Sequence, residues 1–336
     1  MPATLVVGGL PVTVYGLDHL TRPQPGQTAT KPVAVAFLLH GRGQRSDDKL
    51  MVRFADRLVQ YSHDQATTVK DLVVVTFDQR NHGHRLVAKD RQLGWLEGGK
   101  RRHQERLDAG LEPHDLDNPS HAADMMAMQV GTARDVSFLV DFLPAALFPN
   151  DERTVADWYC AGISLGGHAT WLALAHDPRI SLGVPIIGSP STHILLSHRA
   201  SNLPPPAGPL PLAPPYFPAS LVALFAREDP ANVELERWDG RSVLVLSGED
   251  DQLVNYVHGG TEAFVARLEN EAKRCKVEAW VQPKTGHACT PEMIERTCEF
   301  ICREGLAAPV AASARGGIEA AQGAPAAAAT AARGKM

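Results

Sequence analysis

A serine hydroxyl is a weak nucleophile at neutral pH. It attacks a carbonyl only when a base takes its proton and a third group orients that base. Ser164 is set for such work. It lies in Gly162-Ile163-Ser164-Leu165-Gly166, at the end of the apolar run Val155–Ala161 and before a helix-compatible segment, Ala169–Ala175. Strand, tight turn with serine at its tip, then helix is the context of a nucleophile elbow. Gly162 and Gly166 have no Cβ to collide with backbone crossing close by. The following helix aims unpaired N–H groups at the place where negative charge develops. Taken alone, the pentapeptide also fits a glycine-rich strand–helix connection with an incidental serine. A base and an acid must therefore be found elsewhere in the chain.

His287 is the best base. It follows the last apolar run, Val277–Val281, in Thr285-Gly286-His287, and opens a loop before the final helix. Asp251 is the best orienting acid, in a turn started by Gly248 after the run Ser242–Leu246. Asp250 competes for that role, and the Gly-x-x-Asp spacing favours Asp251. The chain order Ser164, Asp251, His287 is the one expected when such residues sit on successive ends of an α/β sheet. A developing oxyanion needs donors already in place. The Leu165 N–H, directly after the serine, is one. The other is the N–H of Arg42, in His40-Gly41-Arg42-Gly43 after the apolar run Val33–Leu39. The Arg42 guanidinium reads as a solvated side chain, with an acidic substrate group as the alternative partner.

Weaker signals surround these. His82 and His84 alternate like a metal pair but lack further ligands at suitable spacing, so they read as loop or structural histidines. His40 reads as a brace for the oxyanion loop, and His168 as a packing or capping residue after the elbow. Cys289 lies two residues past His287 and reads as a buried thiol. Trp95 fits a pocket wall or plain packing equally well.

The elements that would position these groups follow from periodicity. A hairpin across Gly8-Gly9 opens the chain. Continuous apolar runs at Val33–Leu39, Leu72–Phe77, Val155–Ala161, Ile180–Ile187, Ser242–Leu246 and Val277–Val281 read as strands, the longer ones buried on both faces. Helical spacing appears at 47–60, 121–143, 260–273 and 291–303, and two short helices are expected at 221–227 and 233–238. The predicted fold is α/β: a doubly wound, mostly parallel sheet with helices on both faces. Its ligands belong outside the carboxyl ends of the strands, where each polar motif above falls. Residues 1–32 are expected to form a hairpin and loop at the sheet edge, and 33–304 the catalytic domain. Within it, 85–120 and 190–238 are insertions or lid segments. The charged stretch 85–120 reads as an excursion over the sheet edge with partial helix. Asn202–Ser220 carries eight prolines, which forbid helix and central strand alike, and reads as a lid or loop. After Gly188-Ser189-Pro190 regular structure is expected to lapse. The Ala-, Gly- and Pro-rich end, 305–336, reads as a disordered tail.

Taken together these motifs resemble the α/β-hydrolase superfamily. The features that carry the resemblance are His40-Gly41-x-Gly43, Asp78-x-Arg80-x-His82-Gly83, Gly162-x-Ser164-x-Gly166-Gly167, Gly248-x-x-Asp251 and Gly286-His287, spread over residues 33–303. The broad likeness is to carboxylesterases and the catalytic domains of serine peptidases. It implies hydrolysis through an acyl-enzyme, without metal or organic cofactor. A serine at the elbow, where other branches carry aspartate, argues against dehalogenases and epoxide hydrolases. The expectation is a serine hydrolase acting on a carboxylic ester of small or medium size. Thioester, lactone or short-peptide amide hydrolysis, or a non-catalytic binding protein on the same fold, are the alternatives.

Bulk properties agree with a small-molecule substrate. The 336 residues are 44% hydrophobic and 21% charged, enough for one large core, and the net charge is −5. No basic patch suggests nucleic acid, and no apolar run is long enough to span a membrane. The N-terminus lacks the basic start of a signal peptide, and the five irregularly spaced cysteines read as reduced thiols. Both point to the cytoplasm.

Overall fold

The computed structural model describes residues 2–22, 31–96, 108, 117–204 and 208–308. Eight strands form one sheet: β1 Ala3–Val7, β2 Leu10–Tyr15, β3 Val33–Leu39, β4 Asp71–Phe77, β5 Val155–Ile163, β6 Ile180–Ile186, β7 Ser242–Gly248 and β8 Lys276–Gln282. Their order is β1-β2-β4-β3-β5-β6-β7-β8. The β1–β2 hairpin runs antiparallel and joins β4 antiparallel, while all pairs from β4 to β8 are parallel. All seven residues of β3 are buried, as its unbroken apolar sequence requires of a strand covered on both faces.

Among the described residues the helices around the sheet are α1 Lys49–Asp64, α2 His121–Leu147, α3 Leu165–His176, α4 Thr192–Ser201, α5 Ala219–Glu228, α6 Thr261–Glu271 and α7 Pro291–Phe300. Two cores result. On one face Met125 and Leu139 of α2, Trp171 of α3 and Phe264 of α6 pack with Val35, Phe37 and Val75. On the other, Phe54 and Leu58 of α1 and Met293 and Phe300 of α7 pack with Ala36, Leu38 and Val74. Successive side chains of one strand feed opposite cores, the period of two seen in any pleated strand.

The chain winds from β3 outward to β4, then returns to add β5 on the other side of β3. The switch point therefore lies between the carboxyl ends of β3 and β5, where an α/β sheet opens its crevice. The loop His40–Gly43 and Ser164 flank that point.

Three expectations change. Regular structure does not lapse after Pro190, because α4 forms there. Its first-turn donors are satisfied by Ser191 Oγ, which accepts from the Ile194 N–H at 3.2 Å, and by Asp229, which accepts from the Thr192 and His193 N–H groups. The 233–238 segment holds a 3-10 turn, Leu235–Trp238, preceded by another at Pro230–Asn232, and not an α-helix. The last helix stops at Phe300 and continues as a π-helical segment, Ile301–Leu306, pinned by the Tyr159 hydroxyl donating to the Gly305 carbonyl at 2.7 Å. Of the 85–120 excursion, 85–96 shows one 3-10 turn, Lys89–Gln92, while 97–107 and 109–116 lie outside the described residues. Most of the expected tail, 309–336, and residues 205–207 of the Pro-rich stretch also lie outside them.

Candidate active site

The elbow is built as its sequence demands. Ser164 stands between β5 and α3 at φ 54 and ψ −109, a left-handed backbone that a non-glycine residue adopts only under constraint. The constraint is backbone packed against backbone. A Cβ on Gly162 would meet the Gly166 carbonyl oxygen at 2.3 Å, and one on Gly166 would meet the Leu39 carbonyl oxygen at 2.4 Å. Hydrogen bonds hold the turn from both sides. The Ser164 N–H donates to the Ile186 carbonyl at 2.9 Å, and the Gly166 N–H to the His40 carbonyl at 3.1 Å.

Three separated residues converge here. Ser164 Oγ lies 2.8 Å from His287 Nε2, and His287 Nδ1 lies 2.7 Å from Asp251 Oδ2. A carboxylate can only accept, so Nδ1 carries the proton and Nε2 is the acceptor facing the serine hydroxyl. Asp251 is fully buried, while the His287 side chain is 24% exposed. The other oxygen of Asp251 accepts from the Leu253 and Val254 N–H groups, each at 2.8 Å. Burial pushes the Asp251 carboxyl up. The His287 hydrogen bond and charge, with these two N–H donors, outweigh that and hold it below its ordinary value. Asp250, by contrast, is exposed, and its N–H donates to the Thr285 carbonyl. The carboxylate that meets the imidazole is Asp251.

Leu165 is the first residue of α3, so its N–H has no carbonyl one helical turn earlier to bond. Arg42 occupies a turn closed by the Gln44 N–H on the Gly41 carbonyl at 3.2 Å, with Gly43 at φ 74. That turn lies against the elbow, since a Cβ on Gly41 would stand 3.6 Å from the Ile163 carbonyl oxygen. The Arg42 guanidinium is not simply solvated. It donates through Nη1 to the Gln92 carbonyl and so ties the turn to the segment after β4.

Behind this turn His40, read from the sequence as its brace, is held in a bracket whose other members, Asp78 and Gln79, escaped sequence reasoning. The Gln79 N–H donates to His40 Nε2 at 3.0 Å, which leaves His40 Nδ1–H to donate to the Gly41 carbonyl at 2.8 Å. Gln79 Nε2 also donates to the His40 carbonyl. Asp78 Oδ1 accepts from the Ser46 N–H and hydroxyl, each at 2.9 Å, and Oδ2 from the His84 N–H at 2.7 Å. Asp78 and Gln79 thus couple the loops after β3 and β4. The signal was present in the Asp78–Gly83 motif, but its partners are 32 and 39 residues away. Burial lowers the His40 pKa to about 4, so it stays neutral. His168 is likewise buried and lowered to about 4, with its Nδ1 accepting from the Ser189 N–H at 2.9 Å. Burial raises the Cys289 thiol to about 12. His82 donates through Nδ1 to the Arg80 carbonyl at 2.9 Å and serves the loop, and among the described residues no cluster of three or more metal-ligating side chains occurs. A cavity of about 400 Å³ lined by Asp18, His63 and Asp71 opens at the amino end of β4, opposite to the serine, and is not part of this constellation.

No protein-family model matches the sequence, and comparison with curated proteins gives no match. Solved structures do match. TT1662 from Thermus thermophilus is 19% identical, with a TM-score of 0.56, over 90% of this chain and 97% of that one. Acetyl xylan esterase 1 from Thermoanaerobacterium sp. JW/SL YS485 is 16% identical, with a TM-score of 0.52, over 90% and 83%. Est1E from Butyrivibrio proteoclasticus, bound to ferulic acid, is 16% identical, with a TM-score of 0.50, over 90% and 96%. These likenesses and the sheet order define the class: the chain has the α/β-hydrolase fold. No helix among the described residues is long and apolar enough to cross a membrane.

Proposed function

We propose that the chain is a serine hydrolase that cleaves a carboxylic ester of small or medium size through an acyl-enzyme. The observation that carries this reading is the unbroken relay Ser164–His287–Asp251, with contacts of 2.8 and 2.7 Å, on an elbow that reaches solvent through the partly exposed imidazole. His287 Nε2 takes the hydroxyl proton as Ser164 Oγ bonds to the carbonyl carbon. The Leu165 and Arg42 N–H groups receive the oxyanion. The imidazolium then gives its proton to the departing alcohol. Water, deprotonated by the same nitrogen, releases the acid and restores the serine. Asp251 keeps the proton on Nδ1 and stabilises the imidazolium throughout. In this reading residues 33–304 carry the catalytic unit, and the segments 85–120 and 190–238 choose the substrate.

The test is hydrolysis of 4-nitrophenyl acetate and butyrate by the wild type and Ser164→Ala. The expected loss is on the order of 10³-fold or more in kcat. An alanine variant that keeps its rate would exclude this mechanism. Matched thioesters, lactones and aminoacyl amides then read the bond type.

A further inference from the structure

In the serine-hydrolase reading the second oxyanion donor is a backbone N–H, that of Arg42. It sits between Gly41 and Gly43, and glycine has the freest backbone of any residue, so the local sequence does not fix where that N–H points. Bonds within the loop, from the Gly41 N–H to Gln44 Oε1 at 2.8 Å and from the Gln44 N–H to the Gly41 carbonyl, close the turn but do not set it against the elbow. Two consecutive residues after β4 do. Gln79 grips the start of the loop at His40. Asp78 grips its end, where Oδ1 accepts from the Ser46 N–H and hydroxyl, each at 2.9 Å. Arg42 lies between the two grips.

Gln79 holds His40 twice. Its N–H donates to His40 Nε2 at 3.0 Å, and its side-chain Nε2 donates to the His40 carbonyl. That carbonyl also accepts from the Gly166 N–H, in the first turn of α3, at 3.1 Å. One oxygen therefore joins the turn that carries Arg42, the helix that begins at Leu165, and Gln79. As core filling, Gln79 is a poor choice. It is fully buried, and its Oε1 has no hydrogen-bond partner among the described residues. A buried acceptor left unpaired costs stability, and an apolar side chain of similar size would avoid that cost. A side chain kept against stability points to a task.

We propose that Gln79 is a positioning residue for the oxyanion hole: its side-chain amide fixes the His40–Gly43 turn, and with it the Arg42 N–H, against the elbow. This deepens the serine-hydrolase reading and rests on it. Oxyanion donors act when they stand about 2.7–3.1 Å from the place where charge develops, and a displacement of about 1 Å can cost on the order of 100-fold in rate. Binding of the uncharged ester asks far less of the same donors. A loosened turn therefore shows in kcat and leaves KM in place. An amide suits the task, because it donates without bringing a charge into a buried place. A carboxylate there could only accept, and it would face a carbonyl oxygen.

The test compares Gln79→Leu with the wild type in hydrolysis of 4-nitrophenyl butyrate by the full chain. kcat and kcat/KM should fall together by about tenfold or more, with KM within about twofold. The melting temperature should hold or rise, since an unpaired buried acceptor is gone. Inhibition by phenylboronic acid, whose tetrahedral adduct on Ser164 Oγ places an oxygen in the oxyanion hole, should weaken by a similar factor. A residue that serves folding alone would lower the melting temperature and leave the kcat of the folded variant intact, and that result overturns the proposal. So does a loss confined to KM. If Gln79→Leu does not fold, Gln79→Met, of similar length and without the amide, carries the same comparison. A wild type that hydrolyses no ester and takes no fluorophosphonate at Ser164 refutes the hydrolase reading. A wild type that is labelled and active, beside a variant of equal kcat, refutes the positioning role alone.

Discussion

Ser164, Asp251 and His287 were legible as residue types at strand ends, in an order that one fold explains. The bond between them was not legible, because it joins positions 123 and 36 residues apart. The spacing from Gly248 favours Asp251 over its neighbour, and Asp251 is the carboxylate 2.7 Å from His287 Nδ1. That choice has a measurable consequence. Asp251→Asn removes the acceptor that fixes the Nδ1 tautomer, and kcat should fall on the order of 10³- to 10⁴-fold. Asp250→Asn, at an exposed position, should stay within about twofold. Steady-state hydrolysis by the two variants, side by side, checks the pair. Equal losses would contradict the assignment. The bracket residues Asp78 and Gln79 were harder to read, since what they do depends on which carbonyls and N–H groups the fold brings to them.

At the scale of elements, the buried strands were the clearest feature. The run Val33–Leu39 is the whole of β3, because a strand covered on both faces carries no polar interruption. Helix α4 was hidden for the opposite reason. Its local cap, Ser191, is a single serine in a Ser/Pro-rich turn, and its capping carboxylate, Asp229, comes from 36 and 37 residues along the chain. The elbow itself is the element with the least tolerance. Gly166→Ala would drive a Cβ to 2.4 Å from the Leu39 carbonyl oxygen, and neither backbone can give way without moving β3. Urea unfolding should show a loss of about 3 kcal/mol or more. A loss under about 1 kcal/mol would mean the crossing is looser than described.

For the whole molecule, the buried histidines set the acid side of stability. His40 and His168 have pKa values lowered to about 4 in the folded chain, against about 6.5 when unfolded. Between those values the unfolded chain binds more protons than the native one, so stability falls as pH falls. It is intact above about pH 6.5 and erodes down to about pH 4. At pH 5 each histidine accounts for about 2 kcal/mol of loss relative to pH 7.5. The melting temperature should therefore drop between pH 7 and 5, and His168→Gln, where folded, should flatten that slope. A slope unchanged in the variant would contradict this source.

The central claim is that Ser164 is a nucleophile activated by His287. Its most direct measurement is intact-protein mass spectrometry after exposure to a fluorophosphonate. The expected result is a single adduct mapped to Ser164, absent in Ser164→Ala and formed far more slowly in His287→Ala. A folded wild-type chain that takes no adduct at Ser164, or takes it equally fast without His287, would contradict the account.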